Sequence, residues 1–331
     1  MKKKKSIAIS GAALTLLLIG GLTGCGSKED DSHKKLVLYT NADDEAVVAM
    51  QNALNSSGYE NQYIVQTFGT SELGGKLLAE GADIEADLIT MSSFYMESAE
   101  EEHHLFKDIE FETGALDEYP AYYTPITAQE GAIIYNTEVL EENNLPVPTS
   151  IKDLADPVYK DMISVTDIQS SSTAWLLIQA LISEYGEDGT KEVLTNIYEN
   201  AGAHIEESGS GPIKKVRAGE VAIGFGLRHQ AVEDKKEGMP IDYVDPEEGN
   251  FTLTESIAVI DKGEDTNPEA MKMLECIIKN GRQELLETYP VSLYDGEKVD
   301  DVNKSGNPKV FPEKLTVDLL KKHQALSDEC K

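Results

Sequence analysis

Short apolar runs alternate with amphipathic stretches from residue 36 onward. Leu36 to Thr40, Tyr63 to Thr67 and Ala86 to Met91 read as strands. Between and after them, Ala46 to Leu54, Ser71 to Ala79 and Met96 to Leu105 carry helical spacing, the second ending at Gly81. Strands alternating with helices at this pace predict βαβ units and a parallel sheet. The pattern continues with strands in Tyr119 to Tyr135, Asp161 to Thr166, Glu220 to Gly226, Ile241 to Val244 and Phe251 to Ile260. Helices are predicted over Asn136 to Asn143, Ala174 to Ser183, Thr190 to Asn200, Ile213 to Ala218, Pro268 to Lys279 and Leu315 to Leu326. Trp175, the only tryptophan, falls inside a helix and is assigned to the core.

In such sheets ligands bind beyond the carboxyl ends of the strands. That rule selects Thr40 and Asn41 after the first strand, and Ser92 and Ser93 after the third. The stretch Asp167 to Trp175 is a strand end, a run of hydroxyls, then a helix. Ser171, Ser172 and Thr173 are therefore either helix caps or an anion-facing wall, because a helix start presents free N–H groups and a positive dipole end. Ser210 and Gly211 open a second helix and carry the same two readings. Arg228, just past a strand, suits a charge-assisted clamp on an anion; a structural ion pair is its plainer role. Asp43, Asp44, Glu130 and Glu255 are carboxylates available to an amine. Their alternatives are first-turn acids for Asp43 and Asp44 and structural braces for the two glutamates. His103 and His104 are adjacent on a helix, so they face apart and are read as a solvated surface. His204 and His229 are not read as metal ligands.

Composition adds compartment and excludes some partners. Lys2 to Lys5 precede an uncharged apolar run, Ser6 to Thr23, which ends in Leu22-Thr23-Gly24-Cys25. This resembles a bacterial lipobox and predicts a cleaved leader over 1–24 and a lipidated Cys25. Residues 25–35 are polar and charged and read as a flexible tether. The net charge is −31; the leader would remove four lysines and no acid, leaving a still more acidic body. Such a charge argues against nucleic acid and against adhesion to anionic lipid through the protein surface. Cys276 and Cys330 either pair or remain buried small hydrophobes; spacing does not decide. No P-loop, GxGxxG, HExxH or nucleophile elbow occurs, so neither catalysis nor a cofactor is expected.

The ordered set Tyr39-Thr40-Asn41, Asp87 to Thr90, Gly131 to Asn136, Leu154 to Lys160, Ser170 to Thr173, Ser210-Gly211-Pro212, Ala218 to Gly224 and Tyr289-Pro290-Val291 resembles the extracellular solute-binding proteins of ABC importers. The nearest branch is the type 2 periplasmic binding proteins that include ferric-ion and 2-aminoethylphosphonate binders. The resemblance implies a two-lobed α/β fold, each lobe a mainly parallel sheet flanked by helices. Two crossing strands, near Thr124 to Ala128 and Phe251 to Ser256, would join residues 36–125 plus 257–331 to residues 126–256. It further implies a monomer anchored outside the cytoplasm through its lipid, a small solute in the cleft, and delivery to a permease and its ATPase. Ferric binders of this branch carry a Tyr-Tyr pair after the strand that here ends at Gly226, where this chain has Leu227-Arg228-His229. A small anionic or zwitterionic solute, phosphonate-like, is the expectation. A ferric or ferric-chelate binder and a secreted enzyme on the same scaffold are the alternatives.

Overall fold

A computed structural model of the chain describes residues 35–331. The leader expected over 1–24, the lipidation site Cys25 and the tether as far as residue 34 lie outside the described residues. Residues 35–331 form one compact unit. No helix among them is long and apolar enough to cross a membrane.

The strands are β1 (Leu36–Thr40), β2 (Tyr63–Thr67), β3 (Leu88–Ser92), β4 (Phe106–Lys107), β5 (Thr124–Asn136), β6 (Ile163–Thr166), β7 (Ile205–Glu206), β8 (Ile223–Leu227), β9 (Ile241–Val244), β10 (Asn250–Ile260) and β11 (Pro308–Lys309). The helices are α1 (Asp44–Leu54), α2 (Thr70–Glu80), α3 (Ser93–His103), α4 (Thr137–Asn143), α5 (Thr173–Ala201), α6 (Gly211–Arg217), α7 (Arg228–Lys236), α8 (Ala270–Cys276), α9 (Arg282–Thr288) and α10 (Val317–Asp328). All eleven strands join one sheet, whose main path runs β2-β1-β3-β10-β5-β8-β6-β7. Pairing is parallel within β2-β1-β3 and within β8-β6-β7. On that path the long strands β5 and β10 run antiparallel to their neighbours and to each other, while β11 pairs with β10 in parallel.

This is the expected two-lobed plan, with β5 and β10 as the crossing strands. They pair from Glu130 opposite Thr252 to Thr124 opposite Ile257, with a register shift between Glu255 and Ser256. Pro125 explains the irregularity, since it has no N–H for the ladder. The extra residue, Ile126, turns its carbonyl to Arg282, whose Nη1 donates to it at 3.0 Å. A bulge of this kind re-aims neighbouring side chains, and Glu255 sits beside it.

The helices expected over 174–183 and 190–200 are both present, as the two halves of α5 on either side of a kink at Gly186 (φ 66°, ψ 176°), a conformation that glycine adopts without a Cβ penalty. The tail, expected with the first lobe, touches it through Lys314 to Glu97 and through the Val317 N–H to Ser98, and it also reaches the second lobe. Residues 301–309 cross back: Asn303 and Lys304 carbonyls bind Arg228, Ser305 binds Glu130, and β11 pairs with β10 at Asn250 and Phe251. The α10 helix then packs against α5 of the second lobe. Trp175 Nε1 donates to His323 Nδ1 at 2.7 Å, and Tyr198 shares a 2.6 Å hydrogen bond with Ser327. Phe94 of α3 meets Trp175 edge-on at 5.0 Å, so the core behind the crossing strands is continuous from one lobe to the other. Cys276 and Cys330 are both free and buried, in different parts of the core.

Candidate functional site

A cavity of about 430 Å³ opens where the two halves of the sheet face each other. Its walls are loops at the carboxyl ends of parallel strands, where topology predicts a ligand. Asn41 to Glu45 follow β1, and Thr67 to Thr70 end β2 and open α2. Ser170 to Thr173 lie between β6 and α5, and Glu207 to Ser210 between β7 and α6. Thr127, Gln129 and Glu255 form the floor on the crossing strands.

Four helix starts meet at this cavity: α1 after Asp43, α2 after Gly69, α5 after Ser172 and α6 after Ser210. None has its N-cap side chain hydrogen-bonded to the helix start. Their first N–H groups therefore lack that partner. By contrast, Asn136 and Thr316 do cap α4 and α10. The Ser172 hydroxyl is thus not a structural cap. Thr173 has a packing duty as well: a Cβ added at Gly209 would fall 2.2 Å from its Oγ1, so the β7–α6 loop approaches α5 this closely only through glycine.

The sequence-derived candidates divide. Asn41, Asp43, Ser171, Ser172, Thr173, Ser210 and Glu255 all line the cavity. Thr40 does not; it shares a 2.6 Å hydrogen bond with Thr90 and accepts from the Ala42 N–H, shaping the loop beneath Asn41. Ser92 and Ser93 are turned into the crossing strands. Ser92 donates to Glu255 Oε1 at 2.6 Å, and Ser93 Oγ donates to the Thr254 carbonyl at 3.0 Å. Gly211 lies against the Glu206 side chain instead of the cavity.

Arg228 requires correction as an anion clamp. Its side chain is buried and forks onto Asp245, with Nε to Oδ1 at 2.7 Å and Nη2 to Oδ2 at 3.3 Å. The remaining donors reach the carbonyls of Val302, Asn303 and Lys304. A guanidinium engaged this fully has no donor left for a solute. The cations that line the cavity are Lys214 and Arg217 of α6. Arg217 pairs with Asp234 at 2.7 Å, whereas Lys214 is exposed and in no ion pair among the described residues. On the sequence these two belong to an ordinary basic last turn of a helix, and only the topology turns them inward.

The first-lobe wall is acidic. Asp43, Asp44 and Glu45 sit on the β1–α1 loop and helix start, with Glu255 below them. Burial pushes the Asp43 carboxyl up to about 6; Glu45 and Asp44 add to the rise, and Lys214 opposes it. Burial pushes Glu255 up to about 7; the Ser92 hydroxyl and Asn41 amide offset part of the rise, and Asp43 adds to it. The Tyr289 phenol, beside these acids, is raised by burial and by their charges. Glu255 Oε2, Asn41 Oδ1 and Gln230 Oε1 are buried without a hydrogen-bond partner among the described residues, and all three residues line the cavity. Buried polar atoms are normally satisfied, so three orphans at one place mark a site built for an occupant. Glu130, by contrast, is held by Ser305 away from the cavity, and His103 and His104 stand at the surface as expected.

Residues 85–311 match the family of bacterial extracellular solute-binding proteins. The chain belongs to this family. An uncharacterized protein of Haemophilus influenzae is 25% identical over 293 residues, covering 84% of this chain and 82% of that protein. Among solved structures, the periplasmic binding protein P5PA superposes with a TM-score of 0.73 at 20% identity, covering 89% of this chain and 98% of that one. The fructose-6-phosphate-bound binding protein AfuA of Actinobacillus pleuropneumoniae gives 0.70 at 20%, covering 89% and 94%. Iron-bound HitA of Pseudomonas aeruginosa gives 0.71 at 19%, covering 89% and 99%. At these identities the likeness is one of fold, that of the periplasmic binding proteins.

Proposed function

We propose that this protein is the lipid-anchored solute-binding component of an ABC importer. It captures a small organic anion of phosphonate or phosphate-ester type between its lobes and delivers it to a membrane permease. One observation carries the reading: Ser171, Ser172, Thr173, Ser210 and Lys214, gathered at the starts of α5 and α6, line one side of the cavity. Hydroxyls and a lysine are donors that phosphoryl oxygens take. A solute touching both walls binds the closed form better than the open one, and that differential affinity shifts the lobes toward closure. The first lobe comprises residues 36–125 and 257–300; the second comprises 126–256 together with the returning tail.

The ferric alternative is less well served. Tyr122 stacks on Phe106, and Tyr123 donates to Glu97 at 2.8 Å, both away from the cavity. Tyr289 is the one tyrosine in its lining. Hard ferric iron takes phenolate and carboxylate oxygen; carboxylates do line the first-lobe wall, but among the described residues no three acidic, histidine or cysteine side chains are grouped to hold a metal ion.

The test is native mass spectrometry of the purified mature protein, followed by a thermal-shift panel of phosphonates, phosphate esters, sulfonates, polyamines and ferric iron. A ligand at about 100-fold its Kd stabilises by about 2.7 kcal/mol, well within reach of the assay. Stabilisation by a phosphonate or phosphate ester supports the reading. Stabilisation by iron alone, with an absorbance band that a chelator removes, overturns it.

A further inference from the structure

The cleft is polarised across its width. Lys214, Arg217 and the hydroxyl run lie on the second-lobe side, and Asp43, Asp44, Glu45 and Glu255 on the first-lobe side and floor. An anion satisfies only the second-lobe wall. The opposite wall holds a carboxylate that is 8% exposed, with a hydrogen bond from Ser92 to Oε1; Oε2 is buried and unpartnered, the nearby Asn41 amide being directed to Thr70 Oγ1 at 3.0 Å. An ionised carboxylate in that position is costly unless a donor reaches it.

We infer that Glu255, backed by Asp43, is a cation subsite that seats a protonated amine of the solute at the far end from its anion. The inference rests on the anion assignment above only for the word "far"; the subsite itself stands on the orphan carboxylate oxygen. Three features fit an ammonium there. Glu255 is paired with Ser92 across β3 and β10, and Ser92 occupies Oε1, leaving Oε2 as the acceptor. Asn41 Oδ1, a second orphan acceptor, lines the same cavity. An ammonium carries three donors and no acceptor, so it can serve both. Burial favours the protonated form of both carboxyls, pushing Glu255 up to about 7 and Asp43 up to about 6. The charged and titratable groups around them are Asp44 and Glu45 of the first helix, Tyr289, and Lys214 across the cleft. Lys214 is the one cation in that set, and it is the expected seat of the anion.

The experiment is isothermal titration of the mature protein with matched pairs that differ only in an amine: 2-aminoethylphosphonate against ethylphosphonate, and taurine against ethanesulfonate. The same titrations follow with Glu255→Gln, which retains the acceptor for Ser92 and the side-chain shape. The aminated member is expected to bind at least about tenfold tighter, and Glu255→Gln to erase that preference while the melting temperature stays at or above that of the parent. Equal affinity within the pairs overturns the cation subsite and leaves the anion reading standing. If no member of either pair binds, the anion reading falls. Ethanolamine and 1,3-diaminopropane then decide the subsite, and failure of both to bind overturns it.

Discussion

Ser92 and Glu255 stand directly opposite each other on β3 and β10 and are joined by a 2.6 Å hydrogen bond. The pairing holds a carboxyl at the floor of the cleft with one oxygen satisfied and one not. Glu255 ordinarily titrates at 4.5 but is held near 7 by burial. The native state therefore keeps a proton that the unfolded chain has released. Its contribution to stability is complete below pH 4.5 and is lost as pH rises through about 7. Asp43, raised from 3.8 to about 6, acts with the same sign. The melting temperature of the ligand-free protein should fall between pH 5 and 8, and fall less steeply for Glu255→Gln. Thermal melts of the two proteins across that range check this; parallel curves would contradict it.

A bound ammonium reverses the balance at the same carboxyl. It favours the charged form, so solute binding near pH 7 should expel a proton. Titration calorimetry in two buffers of different ionisation enthalpy should give different apparent heats for an aminated solute and equal heats for its amine-free counterpart.

Ser172 caps nothing, so its hydroxyl is free for the solute. Ser172→Ala should weaken solute affinity by about 3- to 10-fold, the loss of roughly one hydrogen bond, while shifting stability by less than about 0.5 kcal/mol. Gly209→Ala should behave differently. Its Cβ would meet Thr173 Oγ1 at 2.2 Å, driving two walls of the cleft apart, so affinity and melting temperature fall together. Urea denaturation alongside calorimetry separates the two outcomes.

Arg228 and Lys214 should exchange the roles that their charge alone suggests. Arg228→Met leaves Asp245 and three carbonyls without their donor and should cost about 3–5 kcal/mol of stability, with the affinity of the folded fraction unchanged. Lys214→Gln should leave stability nearly intact and lower the affinity for an anionic solute, with a weaker salt dependence of binding.

His323 must accept at Nδ1, because an indole nitrogen can only donate. Burial lowers its pKa from 6.5, so it remains neutral where an exposed histidine would charge. That contribution has the opposite pH sign to Glu255: stability drops as pH falls below 6.5. His323→Leu should cost about 1–3 kcal/mol by stranding the Trp175 N–H, and His323→Gln should cost less. Denaturation followed by the fluorescence of the single tryptophan measures both.

The alternation of strands and helices was legible along the chain because each element buries one face and its period shows it. The rule placing ligands at strand ends found Asn41, Asp43 and the Ser171 to Thr173 wall, since those positions follow from local order alone. Arg228 was misplaced because its partners, Asp245 and the carbonyls of 302–304, are assembled by the returning tail, and nothing local marks that crossing. Lys214 and Arg217 were overlooked for the converse reason: a basic last turn reads as solvent-facing until α6 is laid against the cleft. Glu255 was visible as a carboxylate near the crossing strands, but its half-satisfied state follows from the pairing of β10 with β3 that sets Ser92 opposite it, which only the paired strands reveal.

The docking of α10 on α5 has a consequence for how the protein is made. Trp175 meets its hydrogen-bond partner 148 positions further along the chain, and β10 must pair with β5 from a similar separation. Contacts this distant in sequence slow folding, because a long loop must close before they form. The core that α5 shares with α10 is therefore completed only when α10 is available to pack on it.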